Sequence, residues 1–276
     1  MKRYVFSGAY VANELSAEFG RVPPSFLPVG GIRLFEHQLC QQDNVLILPS
    51  CFSIPRVDSE RLSELNVHII RIDSSLSVID AFKTVLAGVS EQFEMLMGDT
   101  LIRRAFTVDD SDVIGISVVS DDNKWDFYDT ENFPNFVFNG YIQCLNYLYF
   151  NEILQGSKSI SDLLNGLTTN DKFIPIEIKN WQDFGHVTTF FHSKRQFLTA
   201  REFNDVGFAD NMIVKTSNNQ LKIQAELNWY ENLPIEYRNL TPAFLGSEYI
   251  NGKLRYKLEY CPYSSLAELN VFGDLR

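Results

Sequence analysis

The sequence contains little cysteine and no long apolar segment. Its four cysteines (Cys40, Cys51, Cys144 and Cys261) are far apart, without the closely spaced Cys or His pairs of a structural zinc site. We therefore expect reduced, mostly buried thiols, as in a cytoplasmic protein. No apolar run approaches the roughly 18–20 residues that a membrane-spanning helix needs, so no membrane span is predicted.

Positive charge is also scarce. Acidic residues outnumber basic ones by 35 to 24, which gives a formal net charge of −11. A broad nucleic-acid surface needs a basic face that neutralises phosphates, so nucleic acid is not an expected partner. Apolar residues make up 45% of the 276 positions, which indicates a globular protein with a large core rather than a disordered chain.

Short apolar runs alternate with amphipathic stretches in the first part of the chain. Strands are predicted over residues 4–6, 44–48, 67–72, 93–97 and 113–119, and helices over 34–42 and 77–89. This βαβα alternation predicts an α/β sheet, in which ligands bind at the carboxyl ends of the strands.

The pattern changes near residue 200. Asn218 and Asn219 predict a hairpin turn between strands over 212–217 and 221–223. A helix over 224–230 and a strand over 255–260 follow. We therefore predict two domains, residues 1–200 and 201–276, the second being a small α+β appendage.

Four segments occur in the order found in one enzyme family. Residues 26–39 read FLPVGGIRLFEHQL, 95–99 read MLMGD, 138–142 read FNGYI and 181–186 read WQDFGH. They resemble the LLPVGGKPLIEHQL, LLGD, GiYvF and W-x-D-x-G-T/H segments of the sugar-1-phosphate nucleotidyltransferases. The resemblance covers residues 1 to about 200.

The resemblance implies a three-layer, Rossmann-like α/β fold with a mostly parallel, mixed sheet. It also implies nucleotidyl transfer from a nucleoside triphosphate to a sugar phosphate or another small phosphomonoester, with release of pyrophosphate. The expected setting is bacterial capsule or surface polysaccharide synthesis in the cytoplasm. Asp99 and Asp183 match the family's two Mg²⁺ ligands, and they are therefore the candidate catalytic and metal-binding residues.

Physical chemistry agrees with these assignments. Two anions must approach each other in this reaction, and a dication held by two carboxylates screens their repulsion. Gly98 permits close backbone approach beside the metal. The turn after the first strand is expected to place Ser7, Gly8 and Ala9 against the nucleotide. The resemblance places Asn139 and Gly140 beside the acceptor substrate.

One part of the family pattern is missing. The family carries a GGxGTRL loop and then a lysine, whereas residues 7–15 here read SGAYVANEL and Pro24 stands at the lysine position. Three explanations stay open. In the first, Arg21 substitutes for the missing cations as a third catalytic residue. In the second, the chain is a nucleotide-sugar-dependent glycosyltransferase. In the third, it is a non-catalytic or regulatory binding module of a bifunctional protein.

Residues 201–276 loosely resemble the N-terminal lobe of choline or aminoglycoside-type kinases. In that resemblance, residues 258–266 match the hinge, and Lys222 and Glu226 match a lysine–glutamate pair. It implies a missing C-terminal kinase-like domain, because no catalytic loop follows. An α+β appendage packed on the first domain is the alternative, and assembly into a homo-oligomer is also left open.

Overall fold

The computed structural model describes residues 1–39, 43–103, 111–119, 136–197, 204–209 and 212–273. The chain divides into two compact units. One comprises Met1–Pro28, Ile32–Phe190 and Ala267–Arg276, and the other comprises Val29–Gly31 and Phe191–Leu266. The division predicted at residue 200 therefore differs from these units at three points: the boundary after Phe190, the assignment of Val29–Gly31 and the assignment of Ala267–Arg276.

The strands of the described residues are numbered in chain order. They are β1 (Lys2–Phe6), β2 (Pro28–Val29), β3 (Ile32–Arg33), β4 (Asn44–Pro49), β5 (His68–Ile72), β6 (Phe93–Met97), β7 (Thr100–Ile102), β8 (Val113–Val118), β9 (Phe136–Cys144), β10 (Ile174–Glu177), β11 (Trp181–Asp183), β12 (Asn204–Ala209), β13 (Met212–Ser217), β14 (Phe244–Ile250) and β15 (Lys253–Glu259).

The α-helices of the same residues are numbered in the same way. They are α1 (Asn13–Phe19), α2 (Leu34–Gln38), α3 (Arg56–Glu64), α4 (Val78–Leu86), α5 (Tyr147–Gly156), α6 (Ile160–Thr168), α7 (Val187–Lys194), α8 (Gln220–Glu231) and α9 (Leu266–Phe272). Short 3-10 helices occur at Pro24–Phe26, Thr169–Asp171, Arg195–Phe197 and Ile235–Leu240. Among the described residues, no helix has the length and apolarity to cross a membrane.

A mixed sheet forms the centre of the first unit. Within the described residues it has seven strands in the order β10-β8-β9-β6-β1-β4-β5. Strand β1 lies between β6 and β4 and runs parallel to both, whereas β9 runs antiparallel to β6 and β8. The predicted α/β, Rossmann-like class with a mixed sheet is confirmed.

The core of this sheet follows from the apolar runs in the sequence. All six residues of β4 are buried, as expected for a parallel strand covered on both faces. Helix α4 presents Phe82 and Leu86 to the same core cluster, and the Ser77 hydroxyl caps it by accepting from Asp80 N. The helix predicted over 77–89 is confirmed, while the one predicted over 34–42 is the shorter α2.

The second unit contains an antiparallel sheet in the order β12-β13-β15-β14. Helix α8 packs Ile223 and Leu227 into a cluster that includes Tyr256 of β15. The hairpin predicted at Asn218 and Asn219 is wrong. The Asn219 side chain accepts from Lys222 N and caps α8, so residues 221–223 are helical rather than extended.

The cysteines only partly match the prediction of buried thiols. Cys144 is buried, Cys261 is half-buried and Cys51 is exposed, and all three are free thiols. Cys40 lies outside the described residues.

A buried ion pair ties several elements of the first unit together. The guanidinium of Arg33 lies 2.9 Å from the Asp58 carboxylate of α3. It also donates to Phe26 O at 2.7 Å and to Phe272 O at 3.0 Å. Since both charged side chains are nearly inaccessible to water, each depends on the other for compensation.

Replacing Asp58 by alanine is therefore expected to lower the free energy of unfolding by about 3–5 kcal/mol, since Arg33 would stay buried without its counter-ion. Urea denaturation measures this change. The control is Glu60→Ala, because Glu60 pairs with Arg56 on the exposed surface of the same helix. That variant should cost less than about 1 kcal/mol, and equal losses would contradict a buried pair.

Candidate functional site

The carboxyl ends of β1 and β6 meet at one edge of the sheet. The two strands are in parallel register, Phe6 lies opposite Met97, and Gly98 N donates to Phe6 O at 2.8 Å. A Cβ atom on Gly98 would lie 2.7 Å from the Cβ of Ser7. Glycine is therefore required at position 98, and the predicted close approach of the backbone is present.

A short antiparallel ladder brings the two predicted carboxylates together. In this ladder, β7 pairs with β11 so that Thr100 lies opposite Asp183. Phe184 N also donates to Asp99 O at 2.8 Å. Two segments about 80 residues apart in sequence thus place Asp99 and Asp183 beside each other, as expected for shared ligands of one cation.

Gly185 shows how closely the two carboxylates converge. A Cβ atom at this position would lie 2.6 Å from Asp99 Oδ2 and 3.3 Å from Asp183 Oδ1. Both carboxylates therefore border the same small space, and any larger residue at position 185 would intrude on it.

Hydrogen bonds fix the orientation of Asp183. Its Oδ1 accepts from Gly185 N at 3.3 Å, and its Oδ2 lies 3.1 Å from His186 Nδ1 and also accepts from the Thr189 hydroxyl. The side chain is buried. His186 and Thr189 lie just before and within the first turn of α7, so the start of this helix holds the carboxylate in place.

Asp99 is in a less favourable electrostatic environment. Burial, and secondarily repulsion from the Asp183 carboxylate, raise the pKa of Asp99 to about 7. Like charges at close range are the condition that a bound dication relieves. Such a cation would favour the ionised form of Asp99.

The donor set fits Mg²⁺ rather than a fully protein-enclosed metal. Among the described residues, no group of three or more His, Cys, Asp or Glu side chains has the arrangement of a metal centre. Mg²⁺ in enzymes is held by one or two carboxylates, with waters and substrate phosphates at the remaining positions. Asp99 and Asp183 match that pattern.

Ser7, Gly8 and Ala9 follow β1 at the same edge of the sheet. The Ser7 hydroxyl accepts from Ser25 N at 3.0 Å, and Ser7 N donates to Ile47 O at 3.0 Å. Those two groups of Ser7 are therefore engaged within the protein, whereas Ala9 is exposed. Contact of this turn with a nucleotide remains a prediction.

Arg21 is exposed and lies over an aromatic ring. Its guanidinium carbon is 4.2 Å from the centre of the Tyr10 ring, and Val11 N donates to Val22 O at 3.0 Å. The segment after β1 and the segment after α1 are thus joined by a backbone hydrogen bond and by the contact of Arg21 with Tyr10. A catalytic role of Arg21 remains a prediction.

Asn139 and Gly140 lie within β9. The buried Asn139 amide donates to Ser117 Oγ at 3.0 Å, and its oxygen accepts from Tyr141 N. Gly140 has a φ of +88°, and a Cβ atom there would lie 2.7 Å from Thr100 Oγ1. Both residues contact neighbouring strands, and their predicted position beside the acceptor remains a prediction.

Sequence reasoning missed two supports of the carboxylates. Thr189 lies six residues after Asp183, where a helix beginning at residue 187 brings its hydroxyl back to the carboxylate. Gln38 on α2 donates to backbone carbonyls on both sides of Asp99. The only signal for Gln38 in the sequence is its position on a helix inside the FLPVGGIRLFEHQL segment.

In the second unit, the predicted lysine–glutamate pair involves a different lysine. Lys215 Nζ lies 2.6 Å from Glu226 Oε2, whereas Lys222 Nζ is 4.0 Å from Glu226 Oε1. Lys222 was expected on a strand, but it lies on α8, one turn before Glu226. Lys215 on β13 is therefore the closer lysine partner of Glu226. The hydroxyl of Tyr256 also donates to Glu226.

Comparison with known proteins supports the fold. HddC from Yersinia pseudotuberculosis aligns with a TM-score of 0.52 and 14% identity, over 71% of this chain and 99% of that one. The CTP:phosphocholine cytidylyltransferase LicC of Streptococcus pneumoniae aligns with a TM-score of 0.53 and 11% identity, over the same shares. No protein-family model and no curated protein matches the sequence. The chain therefore shares a nucleotidyltransferase fold, while the kinase-like resemblance is not supported.

The raised pKa of Asp99 predicts a pH dependence of stability in metal-free protein. An unfolded aspartate has a pKa of about 3.9. Between that value and about 7 the folded chain binds more protons than the unfolded chain, so this group's stabilising contribution falls as pH rises. In EDTA, Asp99→Asn should therefore stabilise the protein at pH 8 by on the order of 1–2 kcal/mol, and by less at pH 5.

Urea denaturation at the two pH values measures this difference. Glu60→Gln, on the exposed face of α3, serves as the control and should show no comparable change. A destabilised Asp99→Asn variant at pH 8 would contradict the raised pKa of Asp99.

Proposed function

We propose that the chain is a Mg²⁺-dependent nucleotidyltransferase of the cytoplasm. It would transfer a nucleotidyl group from a nucleoside triphosphate to a sugar phosphate or another small phosphomonoester, for capsule or surface polysaccharide synthesis. The convergence of Asp99 and Asp183 beside Gly185 is the observation that carries this proposal. The shared fold with a CTP:phosphocholine cytidylyltransferase supports it.

The proposed reaction asks for positioning rather than covalent catalysis. An oxygen of the acceptor phosphate forms a bond to the α-phosphorus of the triphosphate. The bond between the α-phosphorus and the bridging oxygen breaks, and its electron pair leaves with pyrophosphate. Asp99 and Asp183 would hold Mg²⁺, which when bound screens the repulsion between the two phosphate groups.

Arg21 is the proposed source of the positive charge that the missing family motif would supply. Its guanidinium lies over Tyr10, beside the turn formed by Ser7, Gly8 and Ala9. That turn is the proposed contact of the triphosphate, so Arg21 would stabilise charge on the departing pyrophosphate. Asn139 and Gly140 would border the acceptor.

Asp99→Asn tests the carboxylate pair directly. Pyrophosphate release should be lost, because one of the two proposed metal ligands no longer carries charge, while the thermal unfolding curve should still show a folded protein. Glu60→Gln is the matched surface control and should retain activity. Undiminished pyrophosphate release by Asp99→Asn would contradict the assignment of the site.

A thermal-shift screen identifies the donor substrate and precedes that assay. ATP, CTP, GTP, UTP and dTTP are each added with and without Mg²⁺, because binding to the folded state raises the unfolding temperature. A Mg²⁺-dependent shift with one base, lost in Asp99→Asn, would support the transferase. Sugar transfer from an intact nucleotide sugar would instead indicate a glycosyltransferase, and binding without turnover would indicate a regulatory module.

Arg21→Met should lower kcat about 10²–10³-fold, as expected for loss of one charge-stabilising donor. Steady-state pyrophosphate release measures the change, and Arg21→Lys should retain part of the activity because it keeps the charge. Arg56→Met, which removes an exposed arginine from α3, is the control. An unchanged kcat in Arg21→Met would show that another cation has this role.

A further inference from the structure

The turn that carries Asp99 is held by one buried amide from another part of the chain. Gln38, the last residue of α2, is only 1% exposed. Its Nε2 donates to Gly98 O at 2.8 Å, to Thr100 O at 2.9 Å and to Met97 O at 3.3 Å. These three carbonyls belong to residues on both sides of Asp99.

The position of these contacts connects Gln38 to both carboxylates. Strand β6 ends at Met97 and β7 begins at Thr100, so Asp99 lies in a two-residue turn between them. Thr100 is also the residue opposite Asp183 in the β7–β11 ladder. The Gln38 amide therefore fixes the backbone around Asp99. It also fixes the start of β7, the strand that pairs with β11 and so with Asp183.

Ser25 reinforces the same turn. Its hydroxyl donates to Gly98 O at 3.2 Å, and its backbone N–H donates to Ser7 Oγ at 3.0 Å. The Gly98 carbonyl thus accepts from two side chains, both carried by the segment between β1 and the end of α2. A backbone held in this way fixes the direction in which the Asp99 side chain leaves the turn.

The chemistry of the Gln38 side chain indicates more than packing. Its Oε1 is buried without a hydrogen-bond partner among the described residues, which costs free energy. A side chain that served only to fill space would avoid that cost. The amide donors, which no apolar residue of the same size could supply, account for glutamine at this position.

We infer that Gln38 is a positioning residue for the Asp99 carboxylate, acting through the backbone of the 98–100 turn. This inference rests on the proposed metal site. Residues that orient metal ligands change metal affinity by about 10–100-fold when they are replaced. Loss of the Gln38 amide should therefore weaken divalent metal binding without removing a ligand.

The test uses Gln38→Met, which keeps the size and removes the donors, and Gln38→Asn, which keeps an amide on a shorter side chain. Mn²⁺ binding to the nucleotide-free full chain is measured by electron paramagnetic resonance. Gln38→Met should bind Mn²⁺ about tenfold more weakly than the wild type, and Gln38→Asn should show an intermediate loss. The Mg²⁺ concentration for half-maximal activity should rise in the same order.

Gln143→Met is the matched control. Gln143 is also a buried glutamine whose amide donates to a backbone carbonyl, that of Ser111, but it lies on β9 away from the carboxylates. This variant is expected to lose thermal stability without losing Mn²⁺ affinity. It therefore separates a general effect of removing a buried amide from an effect on the metal site.

Three outcomes are distinguishable. Weaker Mn²⁺ binding in Gln38→Met but not in Gln143→Met supports the inference. Equal Mn²⁺ affinity in the wild type and both Gln38 variants, together with lost binding in Asp99→Asn, overturns the role of Gln38 and leaves the metal site intact. Unchanged Mn²⁺ binding in Asp99→Asn itself overturns the metal site and the inference together.

Discussion

The convergence of the Asp99 and Asp183 carboxylates on one small space is the constraint around which this edge of the sheet is organised. Burial, and secondarily repulsion from Asp183, raise the pKa of Asp99 to about 7, so the arrangement is costly for the metal-free protein. The surrounding structure keeps the pair together through backbone hydrogen bonds of the β7–β11 ladder and through a glycine at position 185. A buried carboxylate whose pKa is raised in this way is typical of functional sites.

The two carboxylates are supported in different ways. Asp183 accepts hydrogen bonds directly, from Gly185 N and from side chains at the start of α7. Asp99 is positioned through its backbone, by Gln38 and Ser25 acting on the turn around it. The Asp183 carboxylate is therefore held directly by protein hydrogen-bond donors. The Asp99 carboxylate instead has a raised pKa, which a bound cation would lower.

Several features were predictable because they depend on short stretches of sequence. The apolar runs of β4 and β6 and the helical spacing of apolar residues in α4 indicated the α/β class. Only a few layered architectures can bury the apolar faces of such strands and helices. The carboxylates were found from local motifs in a fixed order. The helix over 224–230 was predicted, but the start of α8 was not, because Asn219 can begin a helix or form a turn. The choice depends on the packing of Ile223 and Leu227.

The amino-acid sequence by itself determined the elements of the sheet and the identity of the two acidic residues. Only the tertiary structure decided which groups surround them, because those contacts join segments far apart in the chain. Gln38 lies 60 residues from Gly98, and no local pattern encodes that hydrogen bond. The choice of Lys215 over Lys222 as the close partner of Glu226 has the same origin, since a strand and a helix must first pack before their side chains can meet.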